Sequence, residues 1–291
     1  MTGKDRLALY TSVAERSASS VIAGYSTSFR AASRLLAPAV RRHVENIYAL
    51  VRIADEIVDG AAEDARLDRN AAAETLDDLE RDTGTALARG YSANLIVHAF
   101  AATARRTGFG EELTAPFFAS MRMDLTQAVH DAESFDRYVY GSAEVVGLMC
   151  LRTFEYGRPS DAARSARLEE GARRLGAAFQ KVNFLRDLAA DYEALGRSYF
   201  PGVDVPTFTE SDKLRILEDI DADLRVSAAV LPELPTSARR AVVLAQGIFT
   251  ELAARLRRTP ADQLLRSRVR VPDAVKLRMA AAAAAGWVQK P

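Results

Sequence analysis

Apolar residues recur at three- and four-residue steps over nearly the whole of this chain, and strict alternation of apolar with polar residues is almost absent. The first period belongs to helices with one buried face, the second to half-buried strands, so the fold class is all-α. The spacing predicts helices over about 5–24, 38–58, 65–89, 93–106, 111–129, 134–156 and 162–194. Later ones cover about 210–230, 235–258 and 272–288, with Pro235 and Pro272 in the first turn, where a missing N–H is harmless. Gly196, Pro201, Gly202 and Pro206 mark 196–209 as a loop, and 259–271 reads as irregular. With no fixed-period repeat and no linker, one continuous helical domain over 1–291 is expected.

A chain of 291 residues, 48% of them hydrophobic, can bury a large core. Thirty-nine basic residues balance thirty-nine acidic ones, which gives no net field to recruit nucleic acid, so any anion site must be local. The lone Cys150 sits in an apolar stretch and reads as a buried, inert thiol. Charges at Lys4, Asp5, Arg6, Glu15 and Arg16 interrupt the first twenty residues, unlike a signal peptide, and a cytoplasmic protein is expected. The longest uncharged apolar run, 279–288, is mostly alanine and far short of the ~20 residues that span a bilayer.

Two acidic faces carry the chemistry. Asp55 and Asp59 are four residues apart, so they project from one helix face about 6 Å apart along the axis. Like charges at that spacing oppose each other and call for a cation. Mg²⁺ prefers oxygen ligands, keeps several waters and bridges one or two carboxylates to phosphate oxygens, which suits so sparse a pair. A solvated acidic helix end has the same pattern. The second face sets Asn183, Asp187 and Asp191 at four-residue steps, with Gln180 near the same stripe and Val182, Phe184, Leu185 and Leu188 flanking it. An internal hydrogen-bond network is the alternative there. Together the two faces could hold metal ions across a bundle, with diphosphate as the third partner and Arg52 and Arg186 as permanent cations beside it.

These residues, taken with their surroundings, resemble the squalene and phytoene synthase family through most of the chain. The likeness begins at Tyr25-Ser26-Thr27-Ser28-Phe29, continues through 33–42, and reaches Ile47-Tyr48-Ala49-Leu50-Val51-Arg52 before the first acidic motif. It resumes at Met121-Arg122-Met123-Asp124-Leu125, at 138–149, at 180–191 and at Gly196-Arg197-Ser198-Tyr199-Phe200-Pro201. The order and spacing of these motifs carry the assignment. Glu56 departs from the commoner second aspartate, Arg30 stands where many members have an aromatic residue, and 192–195 is less charged than usual.

The resemblance implies an isoprenoid synthase bundle with a central cavity and two aspartate motifs at its mouth. It maps metal ligation to Asp55, Asp59, Asn183, Asp187 and Asp191, with Mg²⁺ as cofactor and Mn²⁺ as its alternative. Ser26, Ser28, Phe29, Tyr48, Arg52, Gln180 and Arg186 map to positions around the diphosphates and reacting carbons, Tyr138 to a catalytic one, and Arg268 to a basic segment before the last helix. The implied reaction is head-to-head condensation of two geranylgeranyl diphosphates, through a cyclopropylcarbinyl diphosphate, to phytoene in carotenoid biosynthesis. Its alternatives are a C30 synthase using farnesyl diphosphate and, in another class, a non-catalytic helical assembly factor. Phe29, Tyr48, Tyr138 and Phe184 are candidate walls for a carbocation cavity, with core packing the plainer reading for Phe184. Gly108-Phe109-Gly110 is too short for a dinucleotide loop, and His43, His98 and His130 are isolated and read as surface or satisfied core residues. A hydrocarbon product calls for peripheral membrane contact, for which the final helix with Trp287 is a candidate, against ordinary packing of that helix. The sequence sets no oligomeric state.

Overall fold

In the computed structural model, which describes residues 3–159 and 161–285, helices account for the periodic segments. The first half holds α1 (Gly3–Tyr25), α2 (Thr27–Ser33), α3 (Pro38–Asp59), α4 (Ala61–Asp64), α5 (Arg69–Arg89), α6 (Leu95–Thr107) and α7 (Glu111–Thr126). The second holds α8 (Ala132–Val139), a π-helical turn (Tyr140–Glu144), α9 (Val145–Glu155), α10 (Ala162–Leu195), α11 (Glu210–Val230), α12 (Thr236–Arg258), α13 (Ala261–Leu264) and α14 (Asp273–Ala284). Among the described residues the β structure is a single isolated bridge between Val129 and Ser198.

Capping explains many of the boundaries. Asn94 and Asp68 accept backbone N–H bonds at the starts of α6 and α5, and Gly90, Gly108 and Gly196 close α5, α6 and α10 in the left-handed conformation. Several predicted bounds are corrected for comparable reasons. The stretch before Pro38 contains α2, capped by Ser26. The predicted 65–89 helix starts at Arg69 because Arg66 has a left-handed φ of 63° and Asp68 caps the chain two residues later. Helix α7 ends at Thr126, not 129, since 128–130 leave it to pair with Ser198. The predicted 134–156 helix starts at Ala132 behind an Asp131–Ser134 capping box and is interrupted by the π turn. Pro235 and Pro272 are N-caps, one residue ahead of the first turn. The 259–271 stretch includes α13, and 196–209 includes a 3₁₀ turn at Val205–Thr207. The predicted end of the last helix, with Trp287, lies outside the described residues.

Two large apolar clusters result. One surrounds α3, α5, α6, α7 and α9, with Ile47, Leu50, Leu76, Phe100, Phe117 and Phe118 fully buried. The other lies among α10, α11 and α12, around Leu185, Leu217, Ile220, Leu224 and Leu252. They join where α9 and the π turn pack on α10. A β-carbon on Gly147 would strike the carbonyl of Ala172, and one on Gly176 the carbonyl of Ala143, so glycine permits backbone-to-backbone approach from both sides. Gly141 sits equally close to Ser120 and the Pro116 carbonyl of α7. Helices α3 and α10 themselves share no extensive packing, so their acidic faces belong to different cores and meet at the seam.

Close packing and helix propensity pull opposite ways at Gly176. Alanine gains up to about 1 kcal/mol by propensity, yet overpacking against a carbonyl costs about 1–3 kcal/mol. Urea unfolding is expected to show Gly176→Ala destabilised, whereas Gly84→Ala in α5, with open space around it, gains about 0.5–1 kcal/mol.

Candidate active site

Helix α3 aligns Tyr48, Arg52, Asp55 and Asp59 at steps of four, three and four, along one face. Arg52 donates to Asp55 at 2.6 Å, pairs with Glu56, and lies 4.5 Å from the centre of the Tyr25 ring. Its Nε is buried without a partner. Glu56, the departure from the family pattern, also accepts the Ala61 N–H at 2.9 Å and so braces the turn into α4. Asp55 keeps 40% of its side chain open to solvent and Asp59 28%. Even so, burial pushes both carboxyls up, Asp55 to about 6 against the pull of Arg52, with the Asp59 charge adding to the rise. Access to water together with strong desolvation describes a recess walled by protein.

From α10, Asp187 is gripped by two arginines. Arg186 Nε reaches it at 3.0 Å, while Arg268, on the segment before α14, places Nε at 2.6 Å and Nη2 at 3.1 Å. Asp191 has no hydrogen-bonded or ion-paired side-chain partner among the described residues. Burial, then the charges of Asp187 and Asp59, raise it to about 7. The charge of Asp59 is among those that raise Asp191, so the two motifs lie near enough to repel each other. Gln180 and Asn183 also lack side-chain hydrogen bonds among the described residues, so on this face the internal-network alternative describes Asp187 alone.

Helix α2 closes one side. Ser26 accepts the Phe29 N–H at 3.1 Å and hydrogen-bonds Tyr48, whose phenol is raised chiefly by burial. The half-buried Phe29 ring touches Tyr48 at 6.1 Å, Phe179 at 6.1 Å and Phe249 at 5.9 Å between centroids, and Phe179 stacks on Phe249 at 3.9 Å. Ser28 lies in the first turn of α2 and makes no side-chain hydrogen bond among the described residues. An apolar aromatic wall therefore adjoins the charged recess. Two surface cavities, of about 270 and 640 Å³, lie elsewhere, beside Arg152 and beside Leu7, and include none of these residues.

Three residues that helical spacing does not single out complete the site: Asp124, Arg197 and Tyr199. Arg197, 7% exposed, pairs with Asp59, donates to the Asp124 carbonyl at 2.6 Å and to the Tyr199 hydroxyl at 3.2 Å, and sits 3.6 Å from the Asp124 carboxylate. Tyr138 donates to Asp124 at 2.8 Å and Tyr199 does so at 3.3 Å. Burial and the charge of Asp59 push Asp124 up to about 8. Phe184 stacks on Tyr199 at 3.9 Å and lies 5.7 Å from Tyr138, and His130 stacks on Tyr199 at 5.7 Å. The legible signal was Asp124 itself, a lone acid one helical turn beyond the apolar Met121 face. The histidines are core or half-buried residues: His43 bonds Thr103 and His98 bonds Thr11, each at 2.9 Å, while the Nδ1 atoms of the buried His98 and His130 have no partner among the described residues. Burial holds the Cys150 thiol at about 12, in keeping with an inert role.

The squalene/phytoene synthase family model matches residues 22–274. The chain belongs to the squalene/phytoene synthase family. It is 29% identical over 268 residues to 15-cis-phytoene synthase of Paracoccus sp., covering 87% of this chain and 84% of that protein. It is also 27% identical over 259 residues to phytoene synthase of Pseudescherichia vulneris, covering 82% and 81%. In fold it is similar to a dehydrosqualene synthase crystallised with ligand, with a TM-score of 0.78 at 21% identity over 95% of this chain and 97% of the other. Squalene synthase HpnC from Alicyclobacillus acidocaldarius follows, at 0.72 and 20% identity over 86% and 95%. This likeness establishes the all-α synthase fold for the family member described here.

The raised carboxyls carry a pH consequence. A carboxyl raised from about 4 in the unfolded chain favours the fold when protonated, so its contribution is full below that value and is lost as pH rises through about 6 to 8. Below about 6.5 the lowered His43 and His98 act in the opposite direction. Metal-free protein is therefore expected to lose stability between pH 6.5 and 8.5, and Asp124→Asn to lose less, as read by urea unfolding in chelator.

Proposed function

We propose that this family member joins two molecules of geranylgeranyl diphosphate head to head to give phytoene. The observation that carries the reading is the juxtaposition, at one seam, of two facing aspartate motifs, arginines at their edges and a half-buried aromatic wall. Members of the family use prenyl diphosphate substrates, whose charged head and long apolar tail match those two surfaces. The C40 product is favoured over a C30 one by the two phytoene synthases described above, of which the chain spans 84% and 81% of the length.

The donor set fits Mg²⁺. Asp55, Asp59, Asp187, Asp191 and Asn183 offer oxygen donors and Asp191 has none of its charge offset by a bonded partner, yet among the described residues no three acidic, cysteine or histidine side chains are gathered closely enough to hold a metal ion by themselves, so diphosphate and water oxygens would have to complete the shell. Such a site leaves positions for water and diphosphate oxygens, and Mn²⁺ suits it by the same chemistry. When bound, the metal supplies positive charge that offsets the charge building on a leaving diphosphate. Arg52, whose buried Nε has no partner among the described residues, and Arg186 and Arg268 bind and orient the diphosphates.

In the first half-reaction the C–O bond of one allylic diphosphate breaks. The double bond of the second substrate attacks the cation, and loss of a proton closes a cyclopropylcarbinyl diphosphate. Breakage of the second C–O bond, ring rearrangement and loss of another proton give the C40 triene, with two diphosphates released. Phe29, Tyr48, Phe179 and Phe249 exclude water and present ring faces to positive charge. The proton-handling role falls in this reading to the Tyr138 hydroxyl, which donates to Asp124 at 2.8 Å. Release of the hydrocarbon into lipid by peripheral contact belongs to the same proposal; no described helix is long and apolar enough to cross a membrane.

Incubation with Mg²⁺ and either geranylgeranyl or farnesyl diphosphate, followed by mass spectrometry, is expected to yield a C40 triene from the first. A C30 product alone would make it a C30 synthase. Asp59→Asn and Asp187→Asn are each expected to lower turnover about 10²–10³-fold with the helical circular dichroism retained. Unchanged cellular function in both variants would favour the non-catalytic alternative.

A further inference from the structure

Three of the four motif aspartates already have guanidinium partners: Asp55 has Arg52, Asp187 has Arg186 and Arg268, and Asp59 has Arg197. Arg197 differs from the others in its anchoring. It follows Gly196, whose φ of 66° turns the chain sharply at the end of α10, and precedes Ser198, which is pinned to the 128–130 segment by Ser198 N–H to the Ala128 carbonyl at 2.8 Å. From this fixed loop a nearly buried guanidinium reaches Asp59 of α3 and both the carbonyl and carboxylate of Asp124 of α7. Its charge also lowers the carboxyls of Asp55 and Asp191, which it does not touch. A guanidinium does not lose its proton, so this charge is permanent.

We propose that Arg197 is a positioning residue that occupies Asp59 in the free protein and keeps it from divalent cations until a diphosphate arrives, so that metal and diphosphate enter together. This rests on the reading of the seam as a metal and diphosphate site. The physical reason is competition for one carboxylate. For Asp59 to ligate a cation it must give up the Arg197 pair, and a guanidinium also bonded to the Asp124 carbonyl of α7 and to the Tyr199 hydroxyl cannot swing freely into water. A diphosphate entering between α3 and α10 offers Arg197 a replacement anion at the place where Asp59 is released. The same arrangement steadies the recess, since Arg197 offsets the repulsion that Asp59 exerts on Asp124 and on Asp191.

Calorimetric titration of Mg²⁺ into the full chain, with and without inorganic pyrophosphate, tests this without turnover. Wild-type protein is expected to bind Mg²⁺ at least about tenfold more tightly with pyrophosphate present, a factor typical of groups beside metal ligands. Arg197→Met is expected to bind Mg²⁺ alone about tenfold more tightly than wild type and to show weaker coupling to pyrophosphate. Arg197→Lys should fall between the two, and adding Asp59→Asn to Arg197→Met should abolish the gain. A purely structural role predicts a lower melting temperature in Arg197→Met with Mg²⁺ affinity unchanged, and that result overturns the proposal. Should Arg197→Met not fold, equal Mg²⁺ affinity of the wild type with and without pyrophosphate overturns it just as well. Failure to convert prenyl diphosphates, with the Mg²⁺ and pyrophosphate coupling intact, would instead count against the product assignment alone.

Discussion

Repulsion among acids drawn from three helices is the constraint around which this molecule is arranged. Asp55 and Asp59 come from α3, Asp124 from α7, and Asp187 and Asp191 from α10, and burial raises the cost of the negative charge on Asp55, Asp59, Asp124 and Asp191. A packed core normally avoids such a concentration. Here it is offset by a ring of arginines, of which Arg197 is the most enclosed, and the remaining unbalanced charge marks where a cation has most to gain.

The two apolar cores make that arrangement sustainable. Each acidic face rides on a helix anchored by its own cluster, so the faces oppose one another without the two helices needing to pack together. Rigidity of the seam comes from the glycines that bring the π turn onto α10 and from the bridge between Val129 and Ser198. Both devices serve the site: the first sets Tyr138 just ahead of the π turn, and the second holds Arg197 in place. Aromatic side chains from α2, α10 and α12 then supply an apolar surface beside a highly charged one, which suits a ligand with a diphosphate head and a hydrocarbon tail.

Much of this was legible from spacing. Helical period gave the fold class, and four-residue steps placed Asp55 with Asp59 and Asp187 with Asp191 on common faces, because an α-helix repeats every 3.6 residues whatever surrounds it. Helix ends were less legible. Helix α7 ends at Thr126 because Ala128 and His130 just beyond it bond to Ser198 from a distant part of the chain, and Arg66 takes a left-handed conformation that no local propensity requires.

What the sequence determined by itself was therefore local: the helices, the polar stripes along them, and through the order of its motifs the family to which the chain belongs. Only the tertiary structure decided which charges meet. Arg197 is 138 residues from Asp59 and 73 from Asp124, and nothing in the intervening chain specifies those partners. Their meeting depends on how two cores dock, and the raised carboxyls follow from that docking, since desolvation is a property of the assembled surroundings and not of the residue.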